Sequence, residues 1–457
     1  MRVGGLDWLR AALVAALSGP LLAPAALAQT ETVTKEGITL PSIATSLPNN
    51  GDSSGTRRWL AEHGVTYQLI YTNDVLSNLR GGLRTGTIDQ GKLEAILNID
   101  LEKLAGWRGL KFFSNAFQIH NTGHLRRDYV GGINTIAAIE ATSTTRLSEI
   151  WLEQSFWNSA ASLRIGQLAA DAEFFSSDAS TLFLQSDWPT IAAVNLPSGG
   201  AAYPLSTPGV RVKADPINNV SLLFAVLNGD PAGPGPGDEQ LRNFHGLNFR
   251  VRDPAFLIGE AQLTANTGKH DTGLATTVKV GGWGHLGQFD DKRLAIDGTL
   301  LADPSGSGIP VRHRGTSGIY GIIDQQIYRP RGGDAQSGIT VYTRASVSPS
   351  DRNLVDAYID GGIVFSGMVR GRPDDKFGAG FIYARFSDAI RAFDRDTIAF
   401  AGVPGVVRDY EANVELTYAA QIIPGWTVQP NLQFIFHPNG DASRNATVAG
   451  VRSMWRY

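Results

Sequence analysis

The chain has 457 residues, a formal net charge of −3, 18% charged and 9% aromatic residues, 52 glycines and no cysteine. The near-neutral balance speaks against a general nucleic-acid binder, and the lack of thiols excludes disulfides and thiolate metal sites. A mean hydropathy of −0.09 is too low for a helical membrane protein, yet fits a membrane barrel, where polar lumen residues offset apolar lipid-facing ones.

Arg2 and Arg10 open the chain, followed by an apolar run that ends Ala26-Leu27-Ala28. This reads as a secretory signal peptide, residues 1–28, cleaved after Ala28. Gly19-Pro20 and Pro24 interrupt the run, which falls short of the ~20 apolar residues a spanning helix needs. Residues 29–63 are expected to form an N-terminal periplasmic segment: a polar tail with Pro41, Pro48 and Asn49-Asn50-Gly51, then a short helix that Thr56 caps and Gly64 ends.

From residue 64 to 457 strands are expected almost throughout. Val65–Tyr71, Leu93–Leu101, Leu110–Ile119 and Leu147–Trp157 alternate or nearly so. In the last of these Ile150, Leu152 and Phe156 share one face, and Glu149, Trp151, Glu153 and Trp157 the other. Leu163 and Ile165 alternate with Arg164 and Gly166, and Val210 and Val212 with Arg211 and Lys213. The polar stretch between them, Asp171–Pro208, is expected to narrow or cover a pore, its proline and glycine turns limiting its freedom. Further strands are expected at Ser221–Asn228, Gly246–Arg252, Phe256–Thr264, around Lys279, and at Ile319–Tyr328, Ile339–Val347, Val355–Phe365, Phe377–Phe386, Val414–Gln421, Trp426–Phe436 and Thr447–Tyr457. Most have the ~9–11 residues of a tilted barrel strand. Short turns and long loops mix irregularly, and no fixed 20–50-residue period suggests a propeller or solenoid. The fold class is therefore all-β, a transmembrane antiparallel barrel. Charged residues would line its lumen, while Ile150, Leu152, Leu163, Ile165, Val210 and Val212 would face lipid.

Several composite motifs carry a family resemblance. LRIGQLAADAEFF, NLPSGGAAYPLSTPGVRV, VLNGDPAG, YGIIDQQIYRP, VYTRASVSPSDRN, GRPDDKFGAGFIYARFS and VQPNLQFIFHPNG resemble the carbohydrate-selective outer-membrane porins of the OprB family, over about Arg57 to Tyr457. The resemblance implies about sixteen strands behind a short helical periplasmic segment. It also implies passive diffusion of sugars such as glucose, an outer-membrane location and a monomer. Tyr457 stands where that family would lead one to expect Phe.

A sugar pore needs hydrogen-bonding charges close together beside an aromatic platform. Arginine, with its rigid five-donor fork, outnumbers lysine 31 to 9 here. Strand parity makes Glu149, Trp151, Glu153, Arg164, Arg211, Arg250, Arg252 and Arg344 the candidate pore-lining residues, with Arg80 and Arg84 joining from a turn. The expected partners are carbohydrate solutes and outer-membrane lipid, with no cofactor. The arginine excess keeps an anion- or phosphate-selective pore open as an alternative, and the long loops keep open a non-transport outer-membrane protein. No motif carries catalysis. His120 and His124 lack a helical HExxH setting, Gly315-Thr316-Ser317-Gly318 is one residue short of a nucleophile elbow, and the Asp290-Asp291 and Asp374-Asp375 pairs would point to opposite strand faces.

Overall fold

A computed structural model describes residues 33–268 and 271–457; the expected leader, 1–28, and its cleavage site lie outside them. Sixteen strands among the described residues form one closed antiparallel barrel in which every strand pairs with its sequence neighbours and the last with the first. They are β1 (Val65–Arg80), β2 (Gly86–Asp100), β3 (Leu110–Asn121), β4 (Thr144–Phe156), β5 (Ala161–Leu168), β6 (Thr207–Ile217), β7 (Val220–Asn228) and β8 (Ala255–Ala265). The circuit continues with β9 (Thr276–Ala295), β10 (Pro310–Tyr328), β11 (Gly338–Val347), β12 (Val355–Ser366), β13 (Lys376–Phe386), β14 (Tyr410–Ile423), β15 (Trp426–Phe436) and β16 (Ala446–Arg456). Closure leaves no sheet edge, as a bilayer with nothing to satisfy free backbone groups demands.

Period-2 alternation places the two faces. Leu152, Leu163, Ile165 and Val212 are exposed, as are Phe224, Val280, Ile319 and Leu416, whereas Arg211, Lys279, Arg344 and Glu415 are buried inside. An apolar exterior and a polar interior are what a lipid-spanning barrel requires. The barrel's two ends differ. The end carrying the N-terminal segment and Tyr457 has mostly short connections. The opposite end carries the long loops 122–143, 169–206, 229–254 and 387–409, the last with a helix at Asp388–Ala401.

The N-terminal helix spans Thr56–Glu62, but Thr56 is its first residue and not its cap. The N-cap position is Gly55, and the carboxylate of Asp52, in the turn before it, accepts the backbone N–H groups of Arg57 (3.1 Å) and Arg58 (3.0 Å). Arg57 then lies against the rings of Tyr67 and Tyr457, 4.8 and 4.9 Å from their centroids, joining the helix to the seam between β1 and β16.

Two expectations fail locally. Gly246–Arg252 is no strand; the 229–254 connection runs irregularly to β8, with Phe249 and Val251 exposed and unpaired. Alternation there has no neighbouring strand to make a ladder with. Trp157 leaves the inner face of β4 for the turn after it, at φ +50° and 81% exposed.

The lumen, its inward loop and the charged wall

The connection between β5 and β6, residues 169–206, folds into the barrel. It packs Phe174, Phe175, Trp188, Ile191, Ala192 and Leu196 against inner-face residues of β7 to β13, among them Leu223, Phe256, Trp283, Tyr320, Tyr358 and Ile382. Phe175 stacks on Tyr320 with centroids 4.0 Å apart. Gly380 allows this approach on β13, since a Cβ there would sit 3.0 Å from the Phe183 ring. The expected narrowing loop therefore occupies the interior; β6 begins at Thr207, so Pro208 belongs to the strand.

Burying a loop strands its backbone polar groups, and the wall supplies partners for them. Glu415 accepts the N–H groups of Leu184 (2.7 Å) and Gln185 (2.9 Å). Glu260 accepts that of Phe175 (2.9 Å), and Asp324 that of Asp178 (2.9 Å) together with the Ser177 hydroxyl. Glu149 accepts that of Ala169 (3.1 Å). Lys279 donates to the Ser176 carbonyl (2.7 Å) and Gln429 to that of Leu182 (2.7 Å). The 122–143 loop is held likewise, with Glu411 accepting from Ile133 and Asn134, both at 2.7 Å. These acids and cations are anchors.

Arg344 belongs to the anchors. It faces inward from β11, pairs with Asp360 on β12 and donates to the carbonyls of Phe175 (3.1 Å) and Asp187 (3.2 Å). Its side chain is 3% exposed, so it clamps the loop and presents almost no surface to a solute. Glu149, also buried, has the same kind of role.

The wall from β2 to β6 is covered only in part: Phe117 and Ile119 of β3 are buried against the loop residues Ala141 and Tyr203, while charged residues elsewhere on it stay partly accessible. Glu153 on β4, Arg164 on β5 and Arg211 on β6 stand in register across three strands. Glu153 pairs with both Arg164 (3.0 Å) and Arg211 (2.5 Å). Glu173, from the inward loop, closes a quartet by pairing with Arg211 (2.8 Å) and Arg164 (3.2 Å). Arg164, Glu153 and Glu173 keep 14%, 15% and 24% of their side-chain surface accessible, while Arg211 sits behind them.

Trp151 joins the quartet differently from expectation. Its ring stacks on Phe113 of β3 (4.8 Å) and carries the Arg164 guanidinium 3.7 Å from its centroid. With β3 on one side and β5 on the other, both ring faces are taken. The indole orients Arg164 and offers a solute only its edge.

A second cluster lies on β2 and β3. Lys92 pairs with Glu94 (3.0 Å), which accepts from Asn115 (2.9 Å). The Lys92 ammonium also lies 4.6 Å from the Phe117 ring and 5.1 Å from that of Tyr203, a loop residue. The Tyr203 N–H donates to Asp171 (2.8 Å). Asp171 and Asp187 both belong to the loop and are partly accessible. Burial pushes Asp187 up to about 7, with the Asp171 charge adding to the rise, and pushes Asp171 up to about 6.

Four candidates stand apart from this site. Arg250 lies in the irregular 229–254 connection, paired with Asp253 (2.5 Å), and Arg252 beside it is exposed. Arg80 is exposed at the far end of β1. Arg84, in the following turn, rests on the Tyr129 ring (4.2 Å) and donates to the Asp128 carbonyl. Glu173, Lys92, Asp171, Asp187 and Arg146 went unread in the sequence. Arg146 was hidden by a register irregularity between Ser114 and Ala116 on β3, which puts Thr144, Arg146 and Ser148 inside above it and Glu149, Trp151 and Glu153 inside below it. The polar alternation Thr144-Arg146-Ser148 was its one visible signal.

Among known proteins, the family described as carbohydrate-selective porin, OprB family, matches residues 84–457. Porin B of Pseudomonas aeruginosa is 26% identical over 427 residues, which cover 88% of this chain and 89% of that protein. A putative porin, QuiX, of Acinetobacter baylyi is 22% identical over 88% of this chain and 91% of its own. The high-pH structure of Pseudomonas putida OprB superposes with a TM-score of 0.79 at 22% identity, covering 89% of this chain and 98% of that one.

Proposed function

We propose, for a chain that belongs to the carbohydrate-selective porin family OprB, that monosaccharides of the glucose type cross between the inward loop and the β2–β6 wall. As a porin of this family the protein is an outer-membrane channel for sugar diffusion, and its family and fold are those of a transport channel. The finer reading concerns which groups meet the solute. Arg164, Glu153 and Glu173 are the accessible members of the quartet, with Lys92 and Glu94 beyond them, and Trp151 positions Arg164. The reading also takes residues 1–28 as a cleaved leader, 29–63 as periplasmic and the barrel as monomeric.

One observation carries this. Arg164, Arg211, Arg344 and Arg452, and Lys92 with them, are each ion-paired to a carboxylate. Donors and acceptors therefore stand side by side with little net positive charge. A polyhydroxylated neutral ring finds partners of both kinds, whereas phosphate would have to displace a carboxylate to reach a guanidinium. Such contacts must stay weak for solute to leave as readily as it enters.

Planar-bilayer recording tests this. Glucose should reduce ion current through the purified protein, and Arg164→Ala should weaken that block about tenfold, the size of one charged hydrogen bond lost. Block by phosphate in preference to glucose would overturn the reading.

A further inference from the structure

We infer that Asp171 and Asp187, carried on the inward loop, make the narrow lumen discriminate by charge within the sugars, favouring neutral and protonated amino sugars over sugar acids. The inference rests on the reading that solutes pass between this loop and the β2–β6 wall, and it names the substrate class which that passage selects.

The argument is an account of unspent charge. Facing the loop, Lys92 is held by Glu94 at 3.0 Å, Arg452 by Asp74 at 2.7 Å and Arg344 by Asp360 at 2.5 Å. Arg164 and Arg211 share Glu153 and Glu173. None of these cations is left without an acid. The carboxylates are not all so matched. Asp171 accepts the Tyr203 N–H, and among the described residues no side chain donates to the Asp187 carboxylate. Glu149 and Glu415 also lack an ion-pair partner, but both are buried and spent on backbone N–H groups of the loop. Two interior cations oppose this charge without an ion pair, and both are buried: Arg146, 2% exposed, donates to the Asn243 carbonyl, and Lys279, 8% exposed, donates to the Ser176 carbonyl. Besides Asp178, exposed on the same loop beside Asp324 of β10, the surplus charge that stays accessible, and that which lies nearest the Lys92 wall, is therefore that of Asp171 and Asp187.

Their placement makes the surplus count. The Lys92 ammonium is the charge on the facing wall that acts on both, Arg344 approaches Asp187 from β11, and Tyr203 lies between the loop and Lys92. A solute carboxylate or phosphate passing here meets two like charges inside low-dielectric walls, where screening is weaker than in bulk water. A protonated amine gains from the same field, and a neutral sugar is indifferent to it while still using the carboxylates as hydroxyl acceptors. Both carboxyls are raised by burial, so the discrimination fades as pH falls through about 7 and about 6.

The test uses the full-length protein in planar bilayers and liposomes at pH 8.5, with glucose, glucosamine and glucuronate as probes and the potassium-to-chloride permeability ratio as a sugar-free readout. The unmodified channel should prefer potassium and pass glucuronate about threefold more slowly than glucose, as a modest like-charge repulsion dictates. Asp171→Asn with Asp187→Asn should bring the two sugars close together and cut the potassium preference. Asp187→Glu should keep the preference. Acidifying the unmodified protein to pH 5.5 should reproduce the double variant, which keeps the test independent of whether that variant folds. Glucuronate passing as fast as glucose at pH 8.5, or a permeability ratio that neither the double variant nor acid changes, would overturn the filter. Exclusion of glucose would instead sink the sugar-path reading, with the ion ratio still deciding the filter.

Discussion

The interior wall of this barrel is two surfaces. From β2 to β6 it carries ion pairs and amides, with Lys92, Glu94, Glu153 and Arg164 partly accessible. From β7 to β13 it carries Leu223, Phe256, Ile258, Trp283, Tyr320 and Ile382, all buried under the inward loop. The difference lies in what each wall faces. One is lined for water and solute, the other for a piece of its own chain, and only the second is a packed core in the ordinary sense. On it Glu260 and Asp324 serve backbone N–H groups of that chain and Asp360 holds the clamp Arg344, whereas on the first Glu153 serves Arg164 and Arg211 and Glu94 serves Lys92. A polar residue inside a barrel is thus lumen or anchor according to whether a loop lies over it.

The largest effect should come from breaking an anchor. Arg344→Ala leaves Asp360 buried without its partner and frees two loop carbonyls, an expected loss of about 3–5 kcal/mol, measurable by denaturant unfolding in detergent. Channels that do form should conduct more, because the loop loses its hold on β11. If conductance and stability both stay at the parent's level, Arg344 is no clamp. Next comes the lipid face, where Leu163→Arg should cost about 2–4 kcal/mol in folding titrations into vesicles, in contrast to its inward neighbour Arg164. On the open wall, Trp151→Ala should leave folding yields intact. It should weaken glucose block about as much as Arg164→Ala does, because it removes the surface that orients the guanidinium. An effect of Trp151→Ala that persists undiminished in the Arg164→Ala background would show that the indole contacts sugar itself. The smallest effect belongs to Trp157→Ala, in an exposed turn, expected within about 0.5 kcal/mol of the parent.

Much of the barrel was legible because alternation and lipid exposure are coupled. Leu163, Ile165 and Val212 face outward and Arg164 and Arg211 inward, as a strict period of two dictates. What stayed hidden follows from interactions distant in sequence. In β7, Leu222 and Phe224 face outward while Leu223 and Ala225 face the loop core, so both parities are apolar and no alternation marks the lumen side. Gly246–Arg252 shows the converse, an alternating run that no strand pairs with. Around Glu149 one extra residue shifted the parity and concealed Arg146 while leaving Trp151, Glu153 and the lower half of β4 correctly assigned. Arg344 was assigned to the right face, but nothing local reveals that a loop from 157 residues earlier covers it. Glu173, Asp171 and Asp187 lie in a segment without period, where a sequence shows turns and not directions.

The Leu184 N–H finds its acceptor on Glu415, 231 residues further along the chain. Seen as kinetics, that bond is a clock. The stretch that narrows the bore has no seat until β10, β11 and β14 stand in place, so contacts of very high sequence separation must form last. An assembling barrel should therefore pass through a wide stage, its wall closed while the loop is still cleavable from within, and become selective only at the end. Pulsed proteolysis during refolding into vesicles should find cleavage between Ala169 and Ser206 persisting after the strands resist unfolding; protection of both at the same moment would show that wall and loop arrive together.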